Sequence, residues 1–435
     1  MKKVLIVSPH FPPINAPDMQ RVRLALPSLR AHGWEPTVLA IAPDFIEGGV
    51  REPLLEATYP ADVRVVRVGG LQPRYTRWAG VGQLWWRCGR ALRRAGEQLL
   101  GTERFDAVLF STTQFSAFAL GPRWRGKFGV PYVLDYQDPW VSDYYQRTKT
   151  RPPGGPLKYA LSQWSARRTE PRVLRGASGV IAVSDSYGGM LARLYPWFDA
   201  GRVRVLPFGA SPADLAVADR HRPAQPLIDF DDGNLHHVYT GRGGPDMVAA
   251  LTILFRAFRR FRATAPNLAA RMRFHFIGTG YAPPPLGVDT VLPVARVEGV
   301  AEAVHEHRYR VTYFDALHYL RRAHALVAVG SNDPGYSASK IFPCLLARRP
   351  LLVIFHEQSL VLKMTEHLGA GRCFKFAAPE ALDAVAAQVH DQWFAGRGYE
   401  QAGTLNEAAF APFSAATMTA ALAGVLDEAA ASTKH

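Results

Sequence analysis

Cysteine is scarce in this chain, with only Cys88, Cys344 and Cys373 among 435 residues. They stand far apart and at no metal-ligand or redox spacing, so a disulfide framework, a zinc site and a dithiol centre find no support. Long apolar runs are missing too. Nothing approaches the ~20 residues that a membrane-spanning helix needs, and the run Val4 to Val7 is halted by Ser8-Pro9-His10, too short for a signal-peptide core. The expected location is therefore cytoplasmic. There is no short-period repeat and no low-complexity tract. What remains is the composition of a packed globular chain, 48% hydrophobic and 20% charged, rather than that of a disordered one.

The net charge of +14 is unevenly shared. Residues 1–210 hold 29 Lys and Arg against 16 Asp and Glu, an excess of 13, which leaves an excess of 1 for residues 211–435. Two stretches carry most of it: residues 71–100, with six Arg and one Glu, and residues 144–175, with eight Lys or Arg and one Glu. A summed positive potential draws polyanions and anionic lipid surfaces, so an acidic or membrane-borne partner is one reading of this half. A solubilising helix surface is the other. Trp78, Trp85 and Trp86 interleave with the arginines of 71–100. Such a pattern suits an interfacial helix on an anionic membrane, or a helix with its aromatics packed inward. No nucleic-acid-binding module is recognisable.

Length alone suggests two domains of about 200 residues each. In the first half, short apolar runs at 4–8, 37–41, 63–68, 107–111, 132–135, 180–184 and 203–206 alternate with helix-period segments near 17–31, 82–100, 115–128, 157–174 and 186–194. The second half repeats the scheme. Its predicted strands are 236–240, 274–277, 311–314, 325–329, 351–355 and 373–376, and its helices lie near 247–262, 316–322, 339–346, 358–367 and 380–390. Strand, crossover helix and strand in series mean a parallel sheet covered on both faces. The expected fold class is α/β, two Rossmann-like doubly wound domains facing across a cleft. The boundary falls near Pro207-Phe208-Gly209-Ala210, giving domains 1–210 and 211–412, with 212–232 read as a weakly periodic linker and 413–430 as an Ala- and Leu-rich last helix.

In such sheets ligands bind at the strand carboxyl ends, where helix N-termini present free N–H groups. The richest loop is Thr240-Gly241-Arg242-Gly243-Gly244-Pro245-Asp246. Its glycines let backbone N–H groups approach phosphate oxygens and Arg242 adds a bidentate cation, as a diphosphate cradle requires; a tight turn with an exposed arginine is the alternative. The second loop is Ser337-Ala338-Ser339-Lys340-Ile341-Phe342-Pro343, where Ser339 is the natural helix N-cap and Lys340 sits at the positive helix end, as a phosphate contact or as a plain capped helix. Gly278-Thr279-Gly280 lacks the third glycine of a dinucleotide fingerprint, so no nicotinamide or flavin cofactor is expected. In the first half, Ser8-Pro9-His10-Phe11-Pro12-Pro13 leads to a helix capped near Asp18, and Asp135-Tyr136-Gln137-Asp138-Pro139-Trp140 leaves a buried strand. Asp138 is the candidate to orient or deprotonate a hydroxyl, with Trp140 and Tyr136 as sugar-stacking surfaces, while Asp135 reads as structural. His236-His237, His305 with His307, and His318 with His324 lack partners at metal spacing, so structural roles and no metal are expected.

Taken in order, these segments resemble family-4 glycosyltransferases of the GT-B fold. The resemblance runs from Lys3-Val4-Leu5-Ile6-Val7-Ser8-Pro9-His10-Phe11-Pro12-Pro13 through the Asp135 to Trp140 stretch, Val180 to Ser184, Leu206-Pro207-Phe208-Gly209 and Gly278-Thr279-Gly280. It continues to Ser339-Lys340-Ile341-Phe342 and Arg349-Pro350-Leu351-Leu352. It implies a metal-independent, retaining transferase that uses a nucleotide-sugar donor and no cofactor, and passes the sugar to a glycan, lipid-linked or small-molecule hydroxyl. It places the donor diphosphate against Arg242 and Lys340, within a site of Gly241, Gly243, Gly244, Gly278 and Ser339. His10, Asn15, Ala16 and Trp140 fall on the acceptor side, and the last helix would cross back to the first domain. Two departures stand out. The family's pair of glutamates, with seven residues between them, falls here on Gly335 and Pro343, leaving Glu357 as the candidate to hold the ribose. The family's glycine-rich first loop is Ile14-Asn15-Ala16 here. An epimerase or hydrolase of the same fold, and a non-catalytic scaffold, are the competing readings.

Overall fold

The computed structural model describes residues 1–76, 82–142, 155–280, 282, 285–333, 341–377 and 381–432. Contacts group them into two units, Met1–Gly209 with Phe413–His435, and Ala210–Pro412.

The apolar runs of the first unit become parallel strands: β1 (Lys2–Val7), β2 (Trp34–Ile41), β3 (Arg64–Val68), β4 (Ala107–Ser111), β5 (Tyr132–Tyr136), β6 (Gly179–Ala182) and β7 (Val203–Val205). They are ordered β3-β2-β1-β4-β5-β6-β7. The central strand is apolar without alternation because both its faces are covered. Leu5 and Val7 pack with α2 (Leu84–Thr102), α3 (Leu120–Phe128), α4 (Pro156–Gly176) and α5 (Ser186–Leu194). Val4 and Ile6 pack on the other side with α1 (Gln20–Leu29) and, from the far end of the chain, Met418, Leu422, Val425 and Leu426.

The second unit uses β8 (Leu235–Thr240), β9 (Met272–Ile277), β10 (Val304–His307), β11 (Ala325–Val329), β12 (Leu351–His356) and β13 (Arg372–Phe376), ordered β10-β9-β8-β11-β12-β13 and also parallel. Around it run α6 (Pro212–Arg220), α7 (Val248–Thr264), α8 (Tyr313–Arg322), α9 (Ile341–Ala347), α10 (Leu360–His367) and α11 (Leu382–Val389). Each sheet has the strand order of a dinucleotide-binding fold. The chain then returns to the first unit as α12 (Ala415–Ala431). Gly209 is required where the two ends cross, since a Cβ there would lie 2.4 Å from Ala415 Cα. Asp427 of α12 accepts hydrogen bonds from Lys2 Nζ at 2.6 Å and Trp34 Nε1 at 2.9 Å.

Two expectations need correction. Residues 311–314 open α8 instead of forming a strand: Thr312 Oγ1 accepts from the Asp315 amide as an N-cap, and the edge strand is β10. The stretch read as a linker begins with α6, whose Pro212 occupies the first turn, where a missing N–H costs nothing.

One face of the second sheet carries a layer of imidazoles. His236 Nδ1 and His275 Nε2 are 2.9 Å apart, and His275 stacks on His305 and His307 with centroids 4.9 and 6.0 Å away. Burial, then the neighbouring imidazoles His305, His236 and His307, push His275 down to about 2. On the opposite face burial pushes His237, packed among Phe274, Trp393, Phe394 and Tyr399, down to about 4. A depressed histidine makes the unfolded chain the better proton acceptor below its unfolded value of ~6.5, so stability falls as pH drops through that value. Glu170 in the first unit is raised to about 6 by burial and acts in the opposite sense. The second unit is therefore expected to melt several degrees lower at pH 5 than at pH 7. His237→Phe should flatten that slope by up to about 1.4 kcal/mol per pH unit, read from denaturant titrations at each pH.

Candidate active site

In the first unit β1 and β4 are adjacent, yet β1 leads to α1 on one face of the sheet and β4 to α3 on the other. The loops after these strands diverge at their carboxyl ends, and this is the usual ligand position of an open α/β sheet. Asp18 lies buried there. Its carboxylate accepts from His10 Nδ1 at 2.9 Å, Thr112 Oγ1 at 2.9 Å, the Thr113 amide at 3.1 Å and Thr113 Oγ1 at 3.2 Å. Burial alone would raise this carboxyl, but the contacts from His10, Thr113 and Thr112 outweigh it and hold it below the usual range. An ionised Asp18 accepts from His10 Nδ1, which leaves Nε2 as the ring nitrogen free for another partner. His10 is half-buried, and no partner for Nε2 occurs among the described residues.

Beneath this pair lies a buried ion pair, Arg21 Nε to Asp135 Oδ2 at 3.0 Å, with neither side chain exposed to solvent. The same Oδ2 accepts from Ser111 Oγ at 2.7 Å and Gln137 Nε2 at 2.9 Å, while Arg21 Nη2 donates to the Leu206 carbonyl. Asp138 follows on the surface. Desolvation by the surrounding protein, then the charge of Asp18, raises its carboxyl above the ordinary range.

In the second unit the corresponding loops follow β8 and β11. Gly241 and Gly243 donate to the carbonyls of Ile277 and Thr279 at 3.0 and 2.8 Å, laying the arginine loop along the Gly278-Thr279-Gly280 loop. A Cβ on Gly243 would fall 2.0 Å from Thr290 Oγ1, and Gly278 has φ +75°, so both positions need glycine. Arg242 forms a bidentate pair with Asp246, 2.9 and 2.6 Å, and Asp246 is thereby lowered to about 2. The Asn332 amide donates to the Asp246 carbonyl at 2.7 Å, tying this loop to the one after β11. Glu306 on β10 accepts from Thr279 Oγ1, the Thr290 hydroxyl and amide, and the amides of Val291 and Leu292, which braces the glycine loop from below. Glu357 is exposed just after β12, at the carboxyl edge of the same sheet. Lys340 and Ser339 lie outside the described residues.

Several expectations change. Asp18 caps no helix, because its carboxylate is turned toward Thr112 and Thr113. Tyr136 is fully buried with its hydroxyl on Glu170, so it offers no stacking face. Trp140 is half-buried and stacked on Phe115 at 5.9 Å. Asn15 Nδ2 donates to Glu52, and Ala16 precedes the turn that leads to α1. The role of Asp18 and the two threonines was missed; the cue available was a His and an Asp in the loop after the first strand. Among the described residues no group of three or more His, Cys, Asp or Glu is arranged to hold a metal ion, and no helix is long and apolar enough to cross a membrane.

Residues 20–209 match the family model described as "Glycosyl transferase 4-like domain". No curated protein sequence matches the chain. Similar solved structures span almost the whole of it. HepE from Anabaena in complex with UDP is 14% identical with a TM-score of 0.56, over 98% of this chain and 100% of that one. A glycosyltransferase from Rickettsia africae is 11% identical with a TM-score of 0.56, over 98% of each. The α,α-trehalose 6-phosphate synthase of Burkholderia multivorans is 14% identical with a TM-score of 0.55, over 100% of this chain and 98% of that one. The fold is GT-B. The family match lies within the first unit of that fold.

Arg21→Met should leave Asp135 buried and unpaired, a loss of about 3–5 kcal/mol. Denaturant unfolding of the variant checks this, and wild-type stability would show that the pair is not the anchor of the loops.

Proposed function

We propose that the protein transfers a sugar from a nucleoside-diphosphate sugar to a hydroxyl acceptor, with retention of configuration and without a metal ion. The donor diphosphate meets Arg242, Lys340 and the Gly244 amide, with Gly241, Gly243, Gly278 and Ser339 beside it and Glu357 on the ribose; the Gly241 and Gly243 amides, expected to face the phosphates, are spent instead on the Ile277 and Thr279 carbonyls. The acceptor hydroxyl meets His10 and Asp138, with Asn15, Ala16 and Trp140 alongside. No cofactor takes part. The enzyme works in the cytoplasm, at the inner face of the membrane when the acceptor is lipid-linked.

The observation that carries this reading is that in both units the first strand, which leads to His10 in one and to Arg242 in the other, borders the point where the strand order reverses. Cations there stabilise the charge that develops on the departing diphosphate, more in the transition state than in the ground state. His10, its ring fixed by Asp18, presents a lone pair that accepts and orients a hydroxyl proton. The solved HepE structures hold UDP or UDP-glucose, and one trehalose-phosphate synthase from Burkholderia xenovorans holds glucose-6-phosphate, so these are the first ligands to try.

The bidentate Arg242–Asp246 pair, together with the missing glutamates, favours one rival, a scaffold that binds no nucleotide. A thermal-shift screen with nucleoside diphosphates and their sugars separates the two, because a ligand that binds only the native state raises its melting temperature. A transferase should respond to at least one of them. Arg242→Ala and Lys340→Ala should each lower turnover by about 10²–10³-fold with the melting temperature of the free protein unchanged. Full turnover in either variant would remove that cation from the site. His10→Asn should lower turnover by about 10²-fold while the nucleotide-induced thermal shift stays as in the wild type. Anomeric proton NMR of the product reads the stereochemistry directly.

A further inference from the structure

Helix α4 has two faces of opposite character. At 3.6 residues per turn, Tyr159, Gln163, Ala166 and Glu170 share one side and Leu157, Leu161, Trp164 and Arg168 share the other. The inner side holds the strand-end loop: Tyr159 Oη donates to the Ser142 carbonyl at 2.5 Å, Gln163 accepts from the Ser142 amide at 3.0 Å, and Gln163 donates to the Trp140 carbonyl at 3.2 Å. One turn on, Ala166 is buried and Glu170 accepts from Tyr136 and Tyr195. The outer side points to solvent although it is the more apolar, with Leu157 76%, Leu161 59% and Trp164 56% exposed. A helix covering its own domain turns its apolar stripe inward; this one turns it out.

The cations complete the pattern. Lys158, Arg167, Arg168, Arg172 and Arg175 are exposed on α4, whose one acidic residue is the buried Glu170. The Arg168 guanidinium lies 4.2 Å over the Trp164 ring, and that of Arg175 lies 4.5 Å over the exposed Trp197, extending the aromatic and cationic band. Leucines and an indole flanked by arginines, with no exposed acid, complement an anionic headgroup layer above an acyl interior. In the basic stretch 71–100, where the sequence suggested a membrane contact, Trp78 lies outside the described residues, Leu71 and Tyr75 are exposed, and the helix α2 is built the other way. On α2 Leu84, Cys88, Leu92, Leu99 and Leu100 are buried, Trp85 packs against the core, and Arg87 is buried with its guanidinium on the Phe45 and Leu71 carbonyls. There Trp86 stands exposed at 71% without a companion stripe on its helix.

We propose that the outer face of α4 docks the protein on an anionic lipid bilayer, with Leu157, Leu161 and Trp164 entering the interface and Arg167, Arg168 and Arg172 on the headgroups. Because the inner face of the helix grips residues 140–142, docking also fixes the loop that follows Asp138. The docking itself stands on α4 alone; only its use in presenting a lipid-borne acceptor rests on the transferase reading.

The test is co-sedimentation of the full chain with phosphatidylcholine vesicles and with vesicles containing about one-third phosphatidylglycerol, at ~0.1 M and ~0.5 M salt. Binding to the anionic vesicles, weakened at high salt, is expected. The triple variant L157S/L161S/W164S and the double variant R167E/R168E should each lose about tenfold or more in partition, while W86S binds as the wild type does. No wild-type binding, or equal binding by the α4 variants, overturns the proposal. So does loss of binding in W86S alone, which would return the contact to α2. A dimer in light scattering that dissociates in the triple variant, without vesicle binding by the wild type, would assign the face to a second copy. Nucleotide-induced thermal shifts without vesicles are read in parallel, so a failed docking test and a failed transferase reading are told apart.

Discussion

A buried guanidinium–carboxylate pair sets the geometry of the first unit. Arg21 from α1 meets Asp135 from β5, and around them converge Ser111 from β4, Gln137 from the loop after β5, and the Leu206 carbonyl at the end of the unit. Taking both charges out of water costs several kcal/mol for each ion, and that cost is offset only if the geometry is good and further hydrogen bonds are made. Three donors reach Oδ2, while Oδ1 is buried with no hydrogen-bond partner among the described residues. Such a pair tolerates little displacement. It therefore locks the start of α1 against the ends of β4 and β5, the elements that bring His10, Asp18, Thr112 and Asp138 to one edge. Gln137 joins the two levels by donating to both the Asp135 carboxylate and the Asp18 carbonyl.

The architecture was legible because buried parallel strands leave a strong trace. Residues 4–7, 107–111, 325–329 and 351–355 are short, continuous apolar runs, as sheets covered on both faces require. Where that rule lapses the sequence misleads. The edge strand β10 reads Val-His-Glu-His, and its polar residues are explained only by tertiary partners: His305 and His307 stack on His275, and Glu306 collects the amides of Val291 and Leu292. The nearby Val311-Thr312-Tyr313-Phe314 has the composition of a strand, yet the Thr312 hydroxyl caps a helix whose inward residues are Phe314 and Leu317. In the first site the loops were legible and their wiring was not. An aspartate just before a helix suggests a cap, and nothing local shows that Thr112 and Thr113, more than ninety positions away, will claim its carboxylate.

The donor-side loops show a different constraint. Arg242 is held by Asp246, a carboxylate kept ionised at any working pH and itself fixed to the loop after β11 through the Asn332 amide. The pair places the guanidinium in advance, and it also sets a threshold for any anion that would engage it. A diphosphate would bring two charges against one and could reach the Gly244 amide at the same time, whereas the Gly241 and Gly243 amides are already bonded to Ile277 and Thr279. Recognition at this loop would then favour ligands with more than one phosphate.

The second anchor of the first unit lies one layer out, in α4. Its length is divided between tasks: the last turns bury Val173 and Leu174 in the core, the middle places Glu170 between two tyrosine hydroxyls, and the first turns hold the 140–142 segment through Tyr159 and Gln163. A helix fixed so firmly along one side needs no apolar stripe on the other for the stability of its own unit. Leu157, Leu161 and Trp164 are more than half exposed and bury little apolar surface within their own unit, and exposed apolar surface of this extent favours association and precipitation. On the docking proposed for α4, the arginines that flank them would match a negatively charged surface.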